Sequence, residues 1–208
     1  MTEPRVWLEI NLTAIAHNFK TIQKKVSPLK VMPVLKANAY GLGEPKMIAS
    51  TLRHAGASSV GLADLREALE INNLGLQPHI VGTLLEDEIP AVVHNGTVAP
   101  IGDRRTAYRL SLEARKQNKN VTCHLLIDTG MGRLGMTGGH LVSVIEEICS
   151  LPKLNISGIY SHFPHAYGDR EFTISQIETF KNLLSKLESR GIVFKSVHIG
   201  SSDAINNI

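Results

Sequence analysis

The amino-acid sequence predicts an α/β protein of the TIM-type (β/α)8 barrel class, with about seven of the eight strands in hand. Three observations carry that expectation. Short apolar runs alternate with amphipathic segments along nearly the whole chain. The residues with chemistry to offer fall at or just past the C-terminal ends of those runs, the face where such a barrel builds its active site. The 208 residues, 43% hydrophobic and 20% charged with a formal net charge of +3, suit one soluble domain with a sizeable core.

Taken in order, Arg5 to Asn11 alternates sides and reads as an N-terminal strand. Asn11 or Thr13 can cap the next helix, which carries Leu12, Ile15, Ala16, Phe19 and Ile22 on one face. Val31 to Lys36 reads as the first barrel strand. The others begin at Ser58, His79, Thr97, Val121, Ile156 and Phe194. Helices are expected over 44–55, 64–74, 86–94, 104–118, 139–151 and 171–190, with Gly75 and Gly191 as C-terminal stops. An eighth strand is not found, and an unclosed barrel would leave two sheet edges exposed.

Composition narrows the function. Lys24-Lys25 and Arg104-Arg105 are paired basic residues, and both read as solvated helix faces, so nucleic acid has little support as a partner. Cys123 and Cys149 match no metal spacing and read as buried free thiols in a reducing compartment. His54, His79, His94, His124 and His140 have no metal-ligand spacing either. Met1 to Arg5 lacks the pattern of a signal peptide, and no apolar run reaches membrane-spanning length. A cytoplasmic protein without membrane contact is expected.

The most informative stretch runs from Val31 to Gly43. An apolar run ends in Lys36, and a small-residue turn with Gly41 and Gly43 follows. A lysine ending a buried strand meets desolvation, which lowers an amine's pKa and makes it a usable nucleophile toward a carbonyl cofactor. The glycines allow close approach of a bulky anion, and a helix start offers N–H groups to a phosphate. Tyr40 could add a hydroxyl to the same phosphate. An ordinary strand end with a surface lysine is the competing reading of these residues alone.

Other strand ends add candidates. Asp128 to Gly135 is a glycine-rich loop delivering Arg133, suited to a carboxylate; a surface arginine on a structural loop is the alternative. His162 ends the sixth strand, where a flat imidazole can stack on an aromatic ring or serve structurally. His198 to Ala204 ends the seventh strand with Ser201 and Ser202 at a helix start. That arrangement suits a phosphate, or simply caps the helix.

Lys-Ala-Asn-Ala-Tyr-Gly-Leu-Gly, from Lys36 to Gly43, resembles the pyridoxal phosphate (PLP) lysine signature of alanine racemases, whose last half more often reads Tyr-Gly-His-Gly. Asp128 to Gly135 is similar to that family's arginine loop almost letter for letter. Ser161-His162-Phe163 with Phe172, Gln176 and Phe180, and the run from His198, resemble two more of its segments, so the likeness spans about residue 6 to residue 204.

The resemblance implies a PLP-binding barrel in which Lys36 holds the cofactor and acts as one catalytic base. Tyr40, Ser201 and Ser202 would bind the phosphate, with Ser201 where the family has asparagine and His198 near Ser202. His162 would stack on the cofactor ring. Arg133 would face the cofactor's phenolic oxygen and the substrate carboxylate. Leu126 stands where many members carry a carbamylated lysine that holds this arginine, so Asp128 or a polar neighbour should hold it here. The resemblance also implies a homodimer acting on alanine for cell-wall precursor supply, with the second base a tyrosine from the partner subunit's C-terminal β domain. No residue of this chain matches that tyrosine. The expected organisation is thus residues 1–11 as a strand joining that β domain and residues 12–208 as an incomplete barrel, inactive alone. A PLP-binding barrel without racemase activity, or another racemase or decarboxylase of the same barrel class, is the alternative.

Overall fold

The computed structural model describes residues 5–207. Met1 to Pro4, within the expected N-terminal strand segment 1–11, and Ile208 at the end of 12–208 lie outside the described residues. The chain forms two compact units, Met1–Val81 and Gly82–Ile208.

The first unit contains α1 (Leu12–Lys25), a five-residue turn α2 (Lys36–Tyr40), α3 (Pro45–His54), β1 (Ser59–Leu62), α4 (Leu65–Ile71) and β2 (Gln77–Ile80). Asn11 caps α1, its side chain accepting from the Ala14 N–H, and Lys24 and Lys25 sit at the favourable negative end of the helix dipole. β1 and β2 pair in parallel, with Ser59 opposite Gln77 and Leu62 opposite Ile80. Ile48, Leu52, Val60, Leu62, Ala68 and Ile71 are among its buried apolar residues.

One expectation is corrected in this unit, and one segment expected to pair with a further domain forms no strand among the described residues. The strand from Val31 to Lys36 is reduced to one parallel bridge between Val34 and Gly61. Gly61 donates to the Pro33 carbonyl and Leu35 donates to the Gly61 carbonyl, both at 2.8 Å. Pro33 has no N–H to extend the ladder. The approach is close enough that a Cβ on Gly61 would lie 3.0 Å from Val34 Cγ2. The segment from Arg5 to Asn11 forms no strand among the described residues, and Val6, Trp7 and Leu8 are exposed. Alternation alone does not make a strand; its backbone groups need a partner ladder.

The second unit contains α5 (Ile89–Asn95), β3 (Ala99–Ile101), α6 (Arg104–Lys116), β4 (Val121–Leu126), α7 (Leu141–Ser150), β5 (Leu154–Tyr160), α8 (Arg170–Glu188), β6 (Ser196–His198) and α9 (Ser202–Asn207). Its sheet runs β3-β4-β5-β6, all neighbours parallel. Each strand therefore lies beside the next strand of the chain with a helix between them. That is the sequential order of a barrel, not the reversed order of a doubly wound sheet. Ile101, Leu110, Leu125, Ile145, Ile148, Ile159 and Leu187 are wholly buried in this unit. Cys123 is buried in β4, where burial pushes its thiol up to about 12, and Cys149 is half-buried, so the second thiol is less enclosed than expected. Among the described residues no His, Cys, Asp or Glu group is arranged to hold a metal, and no helix is long and apolar enough to cross a membrane.

Aspartates start three of the helices that follow strands. Asp64, Asp103 and Asp169 each accept a hydrogen bond from the backbone N–H three residues on. Asp103 also accepts from the Thr106 hydroxyl at 2.9 Å. Replacing Asp103 with alanine is expected to cost about 0.5–2 kcal/mol, read as a lower urea midpoint with unchanged slope.

Candidate active site

In the first unit, Lys36 is half-buried and opens α2 directly after the bridged Val34. The turn is wound left-handed. Ala37, Asn38, Ala39 and Tyr40 have φ of 55, 54, 53 and 58°. Each L-residue in this region costs roughly 1–2 kcal/mol relative to the right-handed form, less for asparagine. The geometry persists because its backbone groups are satisfied. Ala39 N–H donates to Leu35 O and Gly41 N–H to Ala37 O, both at 2.9 Å, and Gly43 N–H to Asn38 O at 3.1 Å. Ala39 is 1% exposed, packed into the unit. Tyr40 is exposed, four residues from Lys36 on the same turn. Gly41 and Gly43 continue at positive φ, and a Cβ on either would meet nothing within 4 Å, so both flank open space. Their glycine character serves the backbone angle and leaves room beside Tyr40.

In the second unit, the loop after β4 carries Arg133. It closes on itself: Asp128 N–H donates to Met136 O and Met136 N–H to Leu126 O, and Ile127 bridges Met136. At Gly135, φ is 115° and a Cβ would lie 2.7 Å from Asp128 N and 2.8 Å from Ile127 C, so no side chain fits. The Asp128 carboxylate accepts from the Gly130 and Gly132 N–H groups. The suggestion that Asp128 holds Arg133 is therefore corrected: its oxygens are spent on the loop backbone. Arg133 is exposed and forms no ion pair among the described residues. Leu126 is buried, so an apolar side chain fills that position.

His162 is exposed just past β5. Its neighbours are anchored. Ser161 and Thr129 share a hydrogen bond of 2.8 Å, and Gln176 of α8 donates to the same Thr129 hydroxyl. Phe163 and Ala166 pack with Ala204 of α9, so the His162 loop and the serine turn adjoin. Ser201 caps α9, its hydroxyl accepting from the Ala204 N–H at 3.2 Å, and Ser202 is exposed at the first position of that helix. A Cβ on the preceding Gly200 would meet nothing within 4 Å.

His198 at the end of β6 is drawn into a contact the sequence did not announce. Its Nε2 lies 3.2 Å from His124 Nδ1, and its ring stacks on Tyr160 at 4.9 Å and 1°. Gly158 makes room for this, since a Cβ there would fall 2.5 Å from His124 Nε2. Both imidazoles are pushed down to about 4, by burial at His124 and by burial together with the nearby His124 at His198. His124 was read as a histidine without a role. A lone histidine within an apolar strand carries no local signal for a partner 74 residues away. Thr129 and Glu67 were missed as well, although Asp64-x-x-Glu67 is a legible helix-start pattern.

The comparisons with known proteins bear on these segments together. The family model for the alanine racemase N-terminal domain matches residues 10–208. The chain belongs to the alanine racemase N-terminal domain family. It is 37% identical over 210 residues to the alanine racemase of Desulforamulus reducens, covering 99% of this chain and 56% of that protein. Alanine racemase from Clostridium difficile 630 superposes with a TM-score of 0.93 at 26% identity, over 98% of this chain and 58% of that one. Alanine racemase from Bartonella henselae with covalently bound pyridoxal phosphate superposes with a TM-score of 0.84 at 26% identity, over 94% of this chain and 56% of that one. The fold is the parallel α/β barrel of this family, and the chain spans little more than half the length of these relatives.

Two outcomes test the local geometry. Gly135→Ala should lose about 3 kcal/mol or more of stability, because the methyl group meets backbone rather than a movable side chain; chemical unfolding reads it. The His124–His198 pair sets an acid limb. The folded pair binds protons more weakly than the unfolded chain, whose imidazoles titrate near 6.5. Stability is therefore lost as pH falls below about 6.5 and levels near 4. His198→Asn should flatten that decline in melting temperatures taken at pH 7 and 4.5.

Proposed function

We propose that this chain is the cofactor-bearing part of a PLP-dependent alanine racemase, with Lys36 as the lysine that holds the cofactor. The observation that carries the reading is a half-buried lysine at the head of a left-handed turn whose strain the fold sustains. The donor set suits PLP. Lys36 offers an amine, Tyr40, Ser201 and Ser202 offer hydroxyls to a phosphate, and His162 offers a flat imidazole. Gly41 and Gly43 flank open space beside Tyr40 in the first unit, and Gly200 flanks open space beside Ser201 in the second, so each turn by itself admits a bulky anion. Arg133, exposed and without an ion pair among the described residues, is a guanidinium available to a substrate carboxylate.

PLP, when bound, makes the α-proton of an amino acid acidic by withdrawing electrons into its ring. This chain's residues do the rest on one face. Lys36 Nζ anchors the cofactor and moves a proton at the α-carbon. Tyr40 and Ser202 hold the phosphate end, and His162 packs against the ring. Arg133 orients the carboxylate. Inversion needs a proton on the opposite face. We assign that base to a tyrosine of the partner subunit's C-terminal domain, so the proposed working enzyme is a homodimer, and the same proposal takes it as a cytoplasmic enzyme supplying D-alanine for cell wall.

Incubating the chain with PLP should give a visible absorbance band that borohydride fixes to Lys36 and that Lys36→Ala abolishes. A band that persists in Lys36→Ala overturns the assignment. Residues 1–208 alone should form no D-alanine from L-alanine in a coupled assay, and turnover near that of a full-length relative would refute the placement of the second base.

A further inference from the structure

The left-handed turn after Lys36 has a strap that none of the recognised cofactor contacts includes. Glu67 lies in the first turn of α4, half-buried, just past the end of β1. Asp64 caps the helix by accepting from the Glu67 N–H at 2.9 Å. The Glu67 carboxylate turns back: Oε2 accepts from the Ala63 N–H at 2.8 Å, and Oε1 accepts from the Asn38 N–H at 3.2 Å. One oxygen thus closes a capping box, displaced by one residue from the usual form. The other reaches 29 residues back in sequence to the middle of α2.

We propose that Glu67 is a positioning residue for Lys36. Its carboxylate ties the left-handed turn to the end of β1 and so fixes the spacing between the Lys36 amine and the Tyr40 hydroxyl. The inference rests on Lys36 being the cofactor lysine. The first N–H groups of any helical turn lack partners within it, and Asn38 supplies one here. Leaving it unpaired would favour unwinding a turn that is already costly at four successive residues. A carboxylate serves both N–H groups because each oxygen is an acceptor and the charge strengthens both bonds. A carboxamide has one acceptor oxygen and must turn an NH2 toward one of the two donors. An aspartate is a methylene too short to span from α4 to both.

The test uses the full chain with PLP and pyridoxal as probes, in wild type, Glu67→Gln and Glu67→Ala. In Glu67→Ala, amide exchange at Asn38 should quicken by about tenfold or more, with Ile159 in β5 unchanged. Borohydride-trapped loading of Lys36 should be faster with PLP than with pyridoxal in wild type, because Tyr40 meets the phosphate. Glu67→Ala should compress that ratio by about tenfold, and Glu67→Gln should fall between, keeping one of the two bonds. A purely structural role would slow both probes alike and leave the ratio standing, which overturns the proposal. Unchanged Asn38 exchange in Glu67→Ala and Glu67→Gln also overturns it. If wild type traps no adduct on Lys36, the cofactor assignment fails and the positioning role with it, while Asn38 exchange still reports the strap by itself. Should Glu67→Ala not fold, Glu67→Gln decides on the same measurements.

Discussion

The chain's chemistry hangs on a backbone that wants to unwind. Four successive L-residues after Lys36 sit in the left-handed region, where the Cβ crowds the following carbonyl. Such a turn does not survive on local preference. It is held from below by the bridge at Val34 and the Leu35 donation to Gly61, from within by Ala39 packing, and from the side by the Glu67 carboxylate. The same strain gives the turn its use. A left-handed winding sets the side chains of Lys36 and Tyr40 in a relation that a right-handed turn of the same sequence would not reproduce, and it leaves Gly41 and Gly43 beside open space. Strain stored at functional positions and sustained by surrounding bonds is a recurrent pattern.

The second unit solves a similar problem with carboxylates and glycine. The loop bearing Arg133 is closed by backbone bonds at Met136, stapled by Asp128 through the Gly130 and Gly132 N–H groups, and sealed where Gly135 passes against the backbone. Across both units, Asp64, Glu67, Glu88, Asp103, Asp128 and Asp169 accept from backbone N–H groups at helix starts and loop turns, while Glu86, Glu113, Glu146 and Glu147 pair with arginine or lysine. Arg133 is exposed and has no ion pair among the described residues. On the proposed reading, a guanidinium held by its loop rather than by a counter-ion keeps its donors for an incoming carboxylate.

Much of this was legible beforehand. The helices between strands announced themselves by apolar periodicity, and the alternation of runs indicated parallel pairing in sequential order. Lys36, Arg133, His162 and Ser202 stood out as polar residues at the ends of apolar runs. The handedness of α2 was not readable, since Ala-Asn-Ala-Tyr has no intrinsic preference for it and only tertiary bonds sustain it. Nor was the N-terminal segment: Val6, Trp7 and Leu8 alternate like a strand, yet no ladder partner meets them among the described residues. The strand ending in Lys36 shrank to a bridge because Pro33 interrupts the donor row.

What the amino-acid order decided alone is local: where strands and helices fall, which side chains stand at strand ends, and which glycines admit turns. These follow from periodicity, capping and backbone sterics within a few residues. What only the tertiary structure decided is non-local. It paired His124 with His198, let Tyr160 stack against the latter, and bent Glu67 back to Asn38. Each of those brings together residues tens of positions apart in the chain, and no short sequence window contains both partners.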